Sequence, residues 1–117
     1  MKRVLVVDDD TNIQQLLMEE LKEDGYHVSI ASNGNEALSI LTTDPGRPDL
    51  IILDLRMPKM DGIETLGFML KLKLNLPMII FSAYGSYRNH PLAIAADAYV
   101  VKSSDLSELK VKIHELA

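Results

Sequence analysis

Acidic, hydroxyl and ammonium side chains stand in this sequence at the ends of short apolar runs. They are Asp8, Asp9 and Asp10 after the first run, Asp54 after the third, Ser82 after the fourth and Lys102 after the fifth. Carboxylates that converge on one point repel each other, and a hard divalent cation such as Mg²⁺ relieves that repulsion. Mg²⁺ is commonly held by one or two carboxylates together with phosphate oxygens. If the fold brings these side chains together, they predict magnesium-assisted phosphoryl chemistry.

Within this set, the carboxylate of Asp54 is the candidate nucleophile. It ends an apolar run of strand length, where an acid is costly unless it has a function. A carboxylate beside a bound cation can attack a phosphoryl group and form an aspartyl phosphate. The Lys102 ammonium and the Ser82 hydroxyl would then bind oxygens of the transferred group. Asp10, by contrast, is interpreted as a helix cap, which is the usual role of an acid after a strand.

The apolar runs that position these residues have strand length, and four of the five are nearly continuous, as buried parallel strands are. The runs are Val4–Val7, Val28–Ala31, Leu50–Leu53, Met78–Phe81 and Ala98–Val101. Segments with the apolar spacing of amphipathic helices lie between them. This alternation predicts an α/β fold, a doubly wound five-stranded parallel sheet with helices on both faces. Ligands of such folds bind beyond the carboxyl ends of the strands, where the strand order reverses, so the polar set is expected there.

Capping residues mark several helix boundaries. Thr11 or Asp10 can cap the first helix, Gly25 can end it, and Ser104-Asp105 opens the last helix. The stretch 84–96, before the fifth strand, is short and contains Pro91, which has no backbone donor. We expect the helix in that stretch to be short or irregular.

Composition places the chain among soluble globular proteins. Its 117 residues suit one domain spanning residues 1–117, and 47% of them are hydrophobic and 25% charged. No apolar run is long enough to span a bilayer, and there is no cysteine for a disulfide or a thiolate metal site. A net charge of −5 without a basic block argues against direct binding of nucleic acid. The composition therefore predicts a cytoplasmic protein without membrane insertion.

In this order, the motifs resemble the receiver domains of two-component response regulators. The matching segments are Val6-Val7-Asp8-Asp9-Asp10, Asp54-Leu55-Arg56-Met57-Pro58 with Met60-Asp61-Gly62, Ser82-Ala83 and Tyr99-Val100-Val101-Lys102. The resemblance runs from end to end and implies the flavodoxin-like (βα)5 receiver fold. It also implies a phosphoprotein that takes a phosphoryl group from a sensor histidine kinase or a histidine phosphotransfer protein and signals to a downstream protein. Such a domain catalyses only its own phosphorylation and dephosphorylation, so we expect no enzyme acting on other substrates.

The resemblance assigns the metal site and the phosphoacceptor to individual residues. Asp54 matches the phosphoacceptor of the family. Asp8 and Asp9 match its acidic pair, with Asp9 the more direct ligand of Mg²⁺. The implied metal ligands are thus Asp8, Asp9, Asp54 and the backbone carbonyl of Arg56.

The resemblance also implies a switch. Ser82 matches the hydroxyl residue that turns toward the phosphate, Tyr99 the aromatic residue that reports the switch, and Lys102 the phosphate-binding lysine. Phosphorylation is then expected to change the surface formed by the fourth helix, the fifth strand and the fifth helix. One position departs from the family pattern, because Ser103 follows Lys102 where most receivers have a proline.

Three other functions share parts of this pattern. Phosphatases of the haloacid-dehalogenase-like class also form an aspartyl phosphate, but they carry a second aspartate two residues after the nucleophile, where this chain has Arg56, and a cap domain for which it has no room. A flavin or nucleotide carrier would need a Gly-rich phosphate loop or a Walker sequence, and this sequence has neither. A docking module that is never phosphorylated would not need Asp9, Asp54 and Lys102. The phosphoacceptor interpretation is favoured over all three.

Overall fold

Strands and helices alternate along the chain, as the apolar runs predict. The computed structural model describes residues 2–43, 47–55, 62–72, 75–83, 85, 89–91, 93–103 and 105–117. The strands are β1 (Arg3–Val7), β2 (His27–Ala31), β3 (Leu50–Leu53), β4 (Met78–Ser82) and β5 (Ala98–Val101). The α-helices in the described ranges are α1 (Thr11–Glu23), α2 (Gly34–Thr42), α3 (Gly62–Lys71) and α4 (Ser107–Leu116). Each predicted strand coincides with an observed strand or is one residue shorter.

The five strands form one parallel sheet in the order β2-β1-β3-β4-β5. From β1 the chain runs to β2 on one side and returns to β3 on the other, so the strand order reverses between β1 and β3. Val7 pairs with Leu53 in register, and the Asp54 N–H donates to the Val7 carbonyl at 2.9 Å. The two strands therefore end level, and the residues after them lie side by side. The predicted doubly wound sheet is confirmed.

Each face of the sheet carries its own hydrophobic core, because successive side chains of a strand point to opposite faces. On one face, Leu5, Ile51 and Ile80 pack with Ala37, Leu41, Leu66 and Met69 of α2 and α3. On the other face, Val6, Ile52 and Ile79 pack with Leu17, Leu21, Leu109 and Ile113 of α1 and α4. β1, β3 and β4 are buried on both faces, which explains their continuous apolar sequences. The fold thus holds the carboxyl ends of these strands on a rigid base.

Capping contacts agree with the predicted start of the first helix. The Asp10 side chain accepts hydrogen bonds from the N–H groups of Asn12 and Ile13, which confirms it as the cap of α1. Gly25 follows the helix with a φ of +92°, a conformation that glycine adopts at little cost. At the start of α4, Asp105 accepts hydrogen bonds from the N–H and the hydroxyl of Ser107. Ser104, the other residue predicted to open this helix, lies outside the described residues.

The connection between β4 and β5 is irregular where the structure describes it. Its described residues include a 3-10 turn at Ala93–Ala95 and no α-helix. This agrees with the expectation of a short or irregular helix, as far as the described positions of that stretch go. No helix in the described ranges is both long and apolar enough to cross a membrane.

Candidate functional site

The carboxyl ends of β1 and β3 bring three carboxylates together. Asp8 and Asp9 follow β1, and Asp54 follows β3. One oxygen from each of the three side chains lies within 4.8 Å of the other two. The parallel register of the two strands produces this cluster at the point where the strand order reverses, which is where the sequence predicts it.

Lys102, the residue after β5, extends its ammonium into the same cluster. Its Nζ lies 2.7 Å from Asp8 Oδ2 and 3.3 Å from Asp54 Oδ2. Both carboxylates are buried, with exposed fractions of 2% for Asp8 and 7% for Asp54. Burial lowers the pKa of Lys102, but the hydrogen bonds and charges of Asp8 and Asp54 outweigh it and raise the pKa above the ordinary value. The ammonium is therefore held in its charged form between two buried carboxylates.

Asp8 is held from several sides. Its N–H donates to the Ala31 carbonyl at 3.0 Å, and its Oδ1 accepts from the Asp10 N–H at 2.9 Å. Its backbone carbonyl accepts a hydrogen bond from Gln14 Nε2 at 2.6 Å. The sequence pattern alone does not mark Gln14, because polar residues are common near helix starts. The usable signal is its place one turn into α1, since helical side chains point back toward the helix N-terminus.

A divalent cation fits the oxygen atoms of this cluster. The three carboxylates and one ammonium leave a formal charge of −2, which such a cation would neutralise. Asp8 and Asp54 are buried whereas Asp9 is exposed, so the cluster is open to solvent on the side of Asp9. Mg²⁺ needs such an opening because it retains several water ligands. Arg56, whose backbone carbonyl is the fourth implied ligand, lies outside the described residues.

The two residues implied in the switch lie on β4 and β5. Ser82 is the last residue of β4 and is fully buried, and its carbonyl accepts from the Lys102 N–H at 2.7 Å. Tyr99 is half-buried on β5, where it pairs in register with Ile80 and packs against the core beneath α2 and α3. The structure thus places Ser82 beside the backbone of the lysine that enters the cluster. The switching roles of Ser82 and Tyr99 stay predictions.

The loop after Lys102 is held by side-chain hydrogen bonds of Ser103, the residue that departs from the family pattern expected from the sequence. Ser103 Oγ donates to the Asp105 carbonyl at 2.9 Å and accepts from the Asp105 N–H at 3.3 Å. This local turn constrains the chain immediately after Lys102. The lysine therefore reaches the two carboxylates without a proline at position 103.

Lys102→Met is expected to destabilise the metal-free protein by about 2 kcal/mol, because it leaves two buried carboxylates without their ammonium. The folded state raises the pKa of Lys102, so this contribution is complete below pH 10.5 and is lost as the pH rises through the folded pKa. Urea unfolding in EDTA at pH 7, and in a series of buffers of increasing pH above 10.5, measures both effects.

Lys112→Met is the matched control for this measurement. Lys112 Nζ pairs with Glu115 at 3.6 Å in an exposed position, so its loss should cost no more than about 0.5 kcal/mol. Equal effects of the two substitutions at pH 7 would show that the Lys102 pairs contribute no more than a surface pair.

Comparison with known proteins matches nearly the whole chain to one family. The family model described as the response regulator receiver domain matches residues 4–114. Sporulation initiation phosphotransferase F of Bacillus subtilis is 37% identical over 111 residues, which are 93% of this chain and 88% of that protein. Against several other curated relatives, the chain spans about half of their length.

Solved structures of one bacterial response regulator have the same architecture. The protein TrrA of Thermotoga maritima, in complex with Mg²⁺-BeF, is 47% identical with a TM-score of 0.93, and the match covers 100% of both chains. A second structure holds TrrA in complex with the histidine kinase ThkA, with 47% identity and a TM-score of 0.88, and covers 99% of this chain and 98% of that one. The chain is therefore similar to these proteins in sequence, length and fold.

Proposed function

Because this chain belongs to the response regulator receiver domain family, we propose that it accepts a phosphoryl group on Asp54 from a sensor histidine kinase or a histidine phosphotransfer protein. The observation that carries the proposal is the convergence of Asp8, Asp9, Asp54 and Lys102 at one edge of the sheet. The complex of the 47% identical TrrA with a histidine kinase supports the choice of donor. A partner protein would then read the phosphorylated state.

The chemistry of the transfer follows from the side chains at this edge. A carboxylate oxygen of Asp54 attacks the phosphorus, and the new O–P bond replaces the N–P bond of a phosphohistidine. The leaving histidine nitrogen keeps the electron pair of the broken bond. The Lys102 ammonium, which lies 3.3 Å from Asp54 Oδ2, would attract oxygens of the incoming group. The Ser82 hydroxyl, at the end of the neighbouring strand, is proposed to donate a further hydrogen bond to the product.

We propose Mg²⁺ as the cation, held by Asp8, Asp9 and Asp54 together with the Arg56 carbonyl that the family resemblance implies. Mg²⁺ would supply the positive charge that lets an anionic carboxylate approach an anionic phosphoryl group. The Mg²⁺-BeF complex of TrrA supports this assignment. Asp8 is already positioned by Lys102 and by the Asp10 N–H, so the folded chain presents at least one ligand in a fixed place.

Mg²⁺ is expected to raise the melting temperature by about 10 °C at a hundredfold excess over its Kd, because it binds the folded state and relieves carboxylate repulsion. The measurement is thermal unfolding in MgCl₂ and in EDTA. NaCl at the same ionic strength is the control, since general screening of charge should produce much less than this rise. Equal melting temperatures in MgCl₂ and NaCl would contradict a specific cation site.

Incubation with acetyl phosphate and intact-mass analysis test the proposed function. We expect one phosphoryl group per chain in Mg²⁺ and none in EDTA, in a linkage that is stable to acid and broken by hydroxylamine. Continuous turnover of a simple phosphate ester would instead indicate the phosphatase alternative. No gain in mass in the presence of Mg²⁺, from acetyl phosphate or from a phosphorylated histidine kinase, would refute the phosphoacceptor function.

We further propose that phosphorylation changes the surface formed by the segment 84–96, β5 and α4. Ser82 would turn toward the phosphoryl group, and Tyr99 would move into the space that Ser82 leaves. Such a switch requires a segment with two arrangements of similar free energy. The described part of the segment supports this, because it includes a 3-10 turn at Ala93–Ala95 and no α-helix. Activation would then order that segment.

Amide hydrogen exchange with and without beryllofluoride in Mg²⁺ tests the switch. We expect protection to rise across residues 84–96 in the wild type and to rise less in Ser82→Ala. Exchange within α2, which lies away from this segment in the sequence, is the internal control. High protection of the segment before the mimic is added, with no change afterwards, would favour a rigid displacement of a formed element instead.

A further inference from the structure

We propose that Gln14 is a positioning residue for the acidic pair and thereby sets the affinity of the cluster for Mg²⁺. The inference rests on the proposed function, because it concerns the same cation site. Gln14 lies on α1 and does not belong to the cluster itself. Its side-chain amide donates to the backbone carbonyl of Asp8 at 2.6 Å and to the hydroxyl of Ser32 at 3.0 Å.

The Asp8 carbonyl lies just beyond the last rung that joins β1 to β2. That rung is the hydrogen bond from the Asp8 N–H to the Ala31 carbonyl. After Ala31 the chain turns away to begin α2, and the Ser32 N–H donates to Glu36 Oε1 at 2.7 Å. Gln14 therefore supplies, from a helix, the donor that a continued β2 would have offered. A buried backbone carbonyl such as that of Asp8 needs a hydrogen-bond donor.

The Gln14 amide donates one hydrogen to the Asp8 carbonyl and the other to the Ser32 hydroxyl, and both of these oxygens can accept. The alternative orientation would set the amide oxygen against the Asp8 carbonyl oxygen, two acceptors at 2.6 Å, so the nitrogen must face the carbonyl. A glutamate at this position could not make the bond. Gln14 thus joins the end of β1, the start of α1 and the residue after β2 through one planar group.

The peptide that Gln14 holds is the one that joins Asp8 to Asp9. Fixing the Asp8 carbonyl fixes the plane of this peptide and so the position of the Asp9 Cα, from which the Asp9 side chain extends. The carboxylate of Asp8 also accepts hydrogen bonds from the Asp10 N–H and from Lys102 Nζ, whereas Asp9 is exposed. Gln14 acts on the cation through this peptide, in the way that outer contacts commonly orient metal ligands.

Gln14→Met removes the donor while keeping the length and the helical preference of the side chain. We expect it to raise the Kd for Mg²⁺ about tenfold, the lower end of the range for outer contacts, as measured by calorimetry. Gln15→Met is the matched control. Gln15 is the next residue of α1, is exposed and donates to Glu19 at 3.3 Å, so its loss should leave the Kd within about twofold.

A second measurement separates positioning from general loss of structure. In Gln14→Met, the rate of labelling by acetyl phosphate at saturating Mg²⁺ should stay near that of the wild type, while the Mg²⁺ concentration for half the maximal rate rises about tenfold. If Gln14→Met does not fold, Ser32→Ala removes only one anchor of the amide and should raise the Kd about threefold. The inference is overturned if a folded Gln14→Met binds Mg²⁺ like Gln15→Met, or if Ser32→Ala leaves the Kd unchanged when it alone can be measured. A wild type that does not bind Mg²⁺ would instead refute the proposed function.

Discussion

Asp54→Ala is expected to abolish labelling by acetyl phosphate completely, while Asp10→Ala is labelled like the wild type. Alanine has no oxygen with which to form the O–P bond. The substitution should leave the fold intact, because Lys102 keeps its shorter contact with Asp8 at 2.7 Å and one buried charge is removed from a crowded cluster. Intact-mass analysis of both variants in Mg²⁺ measures the effect.

Asp10 is a demanding control for the phosphoacceptor. It lies at the same edge of the sheet and carries the same side chain, but it caps α1 and donates its N–H to Asp8. A hydroxylamine-labile group remaining on Asp54→Ala would place the phosphoryl group on another carboxylate. Peptide mapping would then decide between Asp8 and Asp9, and the assignment of Asp54 would be wrong.

Asp9→Ala is expected to weaken Mg²⁺ binding about a hundredfold, because it removes one of the proposed charged ligands, the one exposed at the open side of the cluster. The same substitution should not destabilise the metal-free protein, since it relieves repulsion from Asp8 and Asp54. Calorimetric titration with Mg²⁺ and urea unfolding in EDTA give the two quantities.

Asp10→Ala should show the opposite behaviour. Loss of the cap bonds to Asn12 and Ile13 is expected to cost about 1 kcal/mol of stability in EDTA, with little change in the Kd for Mg²⁺. The two substitutions are one position apart, yet Asp9→Ala is expected to lower only the affinity for Mg²⁺ and Asp10→Ala only the stability. If Asp10→Ala loses affinity and Asp9→Ala does not, the acidic pair is displaced by one residue from its proposed position.

Much of the fold follows from the sequence because the central strands are buried on both faces. Burial of β1 and β3 requires continuous apolar runs, and Asp8 and Asp54 are conspicuous because each ends such a run. Because the strands of the sheet are parallel, their carboxyl ends lie at one edge, and both residues follow those ends. These regularities explain why the doubly wound sheet and the receiver family are confirmed, and why the structure brings the predicted acids together.

The contacts that hold the cluster could not be predicted in the same way. The hydrogen bond from Gln14 to the Asp8 carbonyl depends on where β2 leaves the sheet. A polar residue in a helix does not reveal where a neighbouring strand ends. The preference of Lys102 for Asp8 at 2.7 Å over Asp54 at 3.3 Å depends on the path of the loop after β5. Here Ser103 makes side-chain hydrogen bonds that periodicity does not reveal.

The ion pair between Lys102 and Asp8 has a consequence for the order in which the chain folds. It joins residues 94 positions apart, and closing a loop of that length in an otherwise unfolded chain would cost about 4 kcal/mol of entropy before any constant term. We therefore expect this ion pair to form after the local elements, which close much shorter loops. A folding intermediate in which β1 and β3 have paired but β5 has not docked would carry three adjacent carboxylates and no ammonium. In such an intermediate, the docking of β5 would supply the positive charge to the carboxylate that follows β1, and a divalent cation would stabilise the chain more before that step than after it.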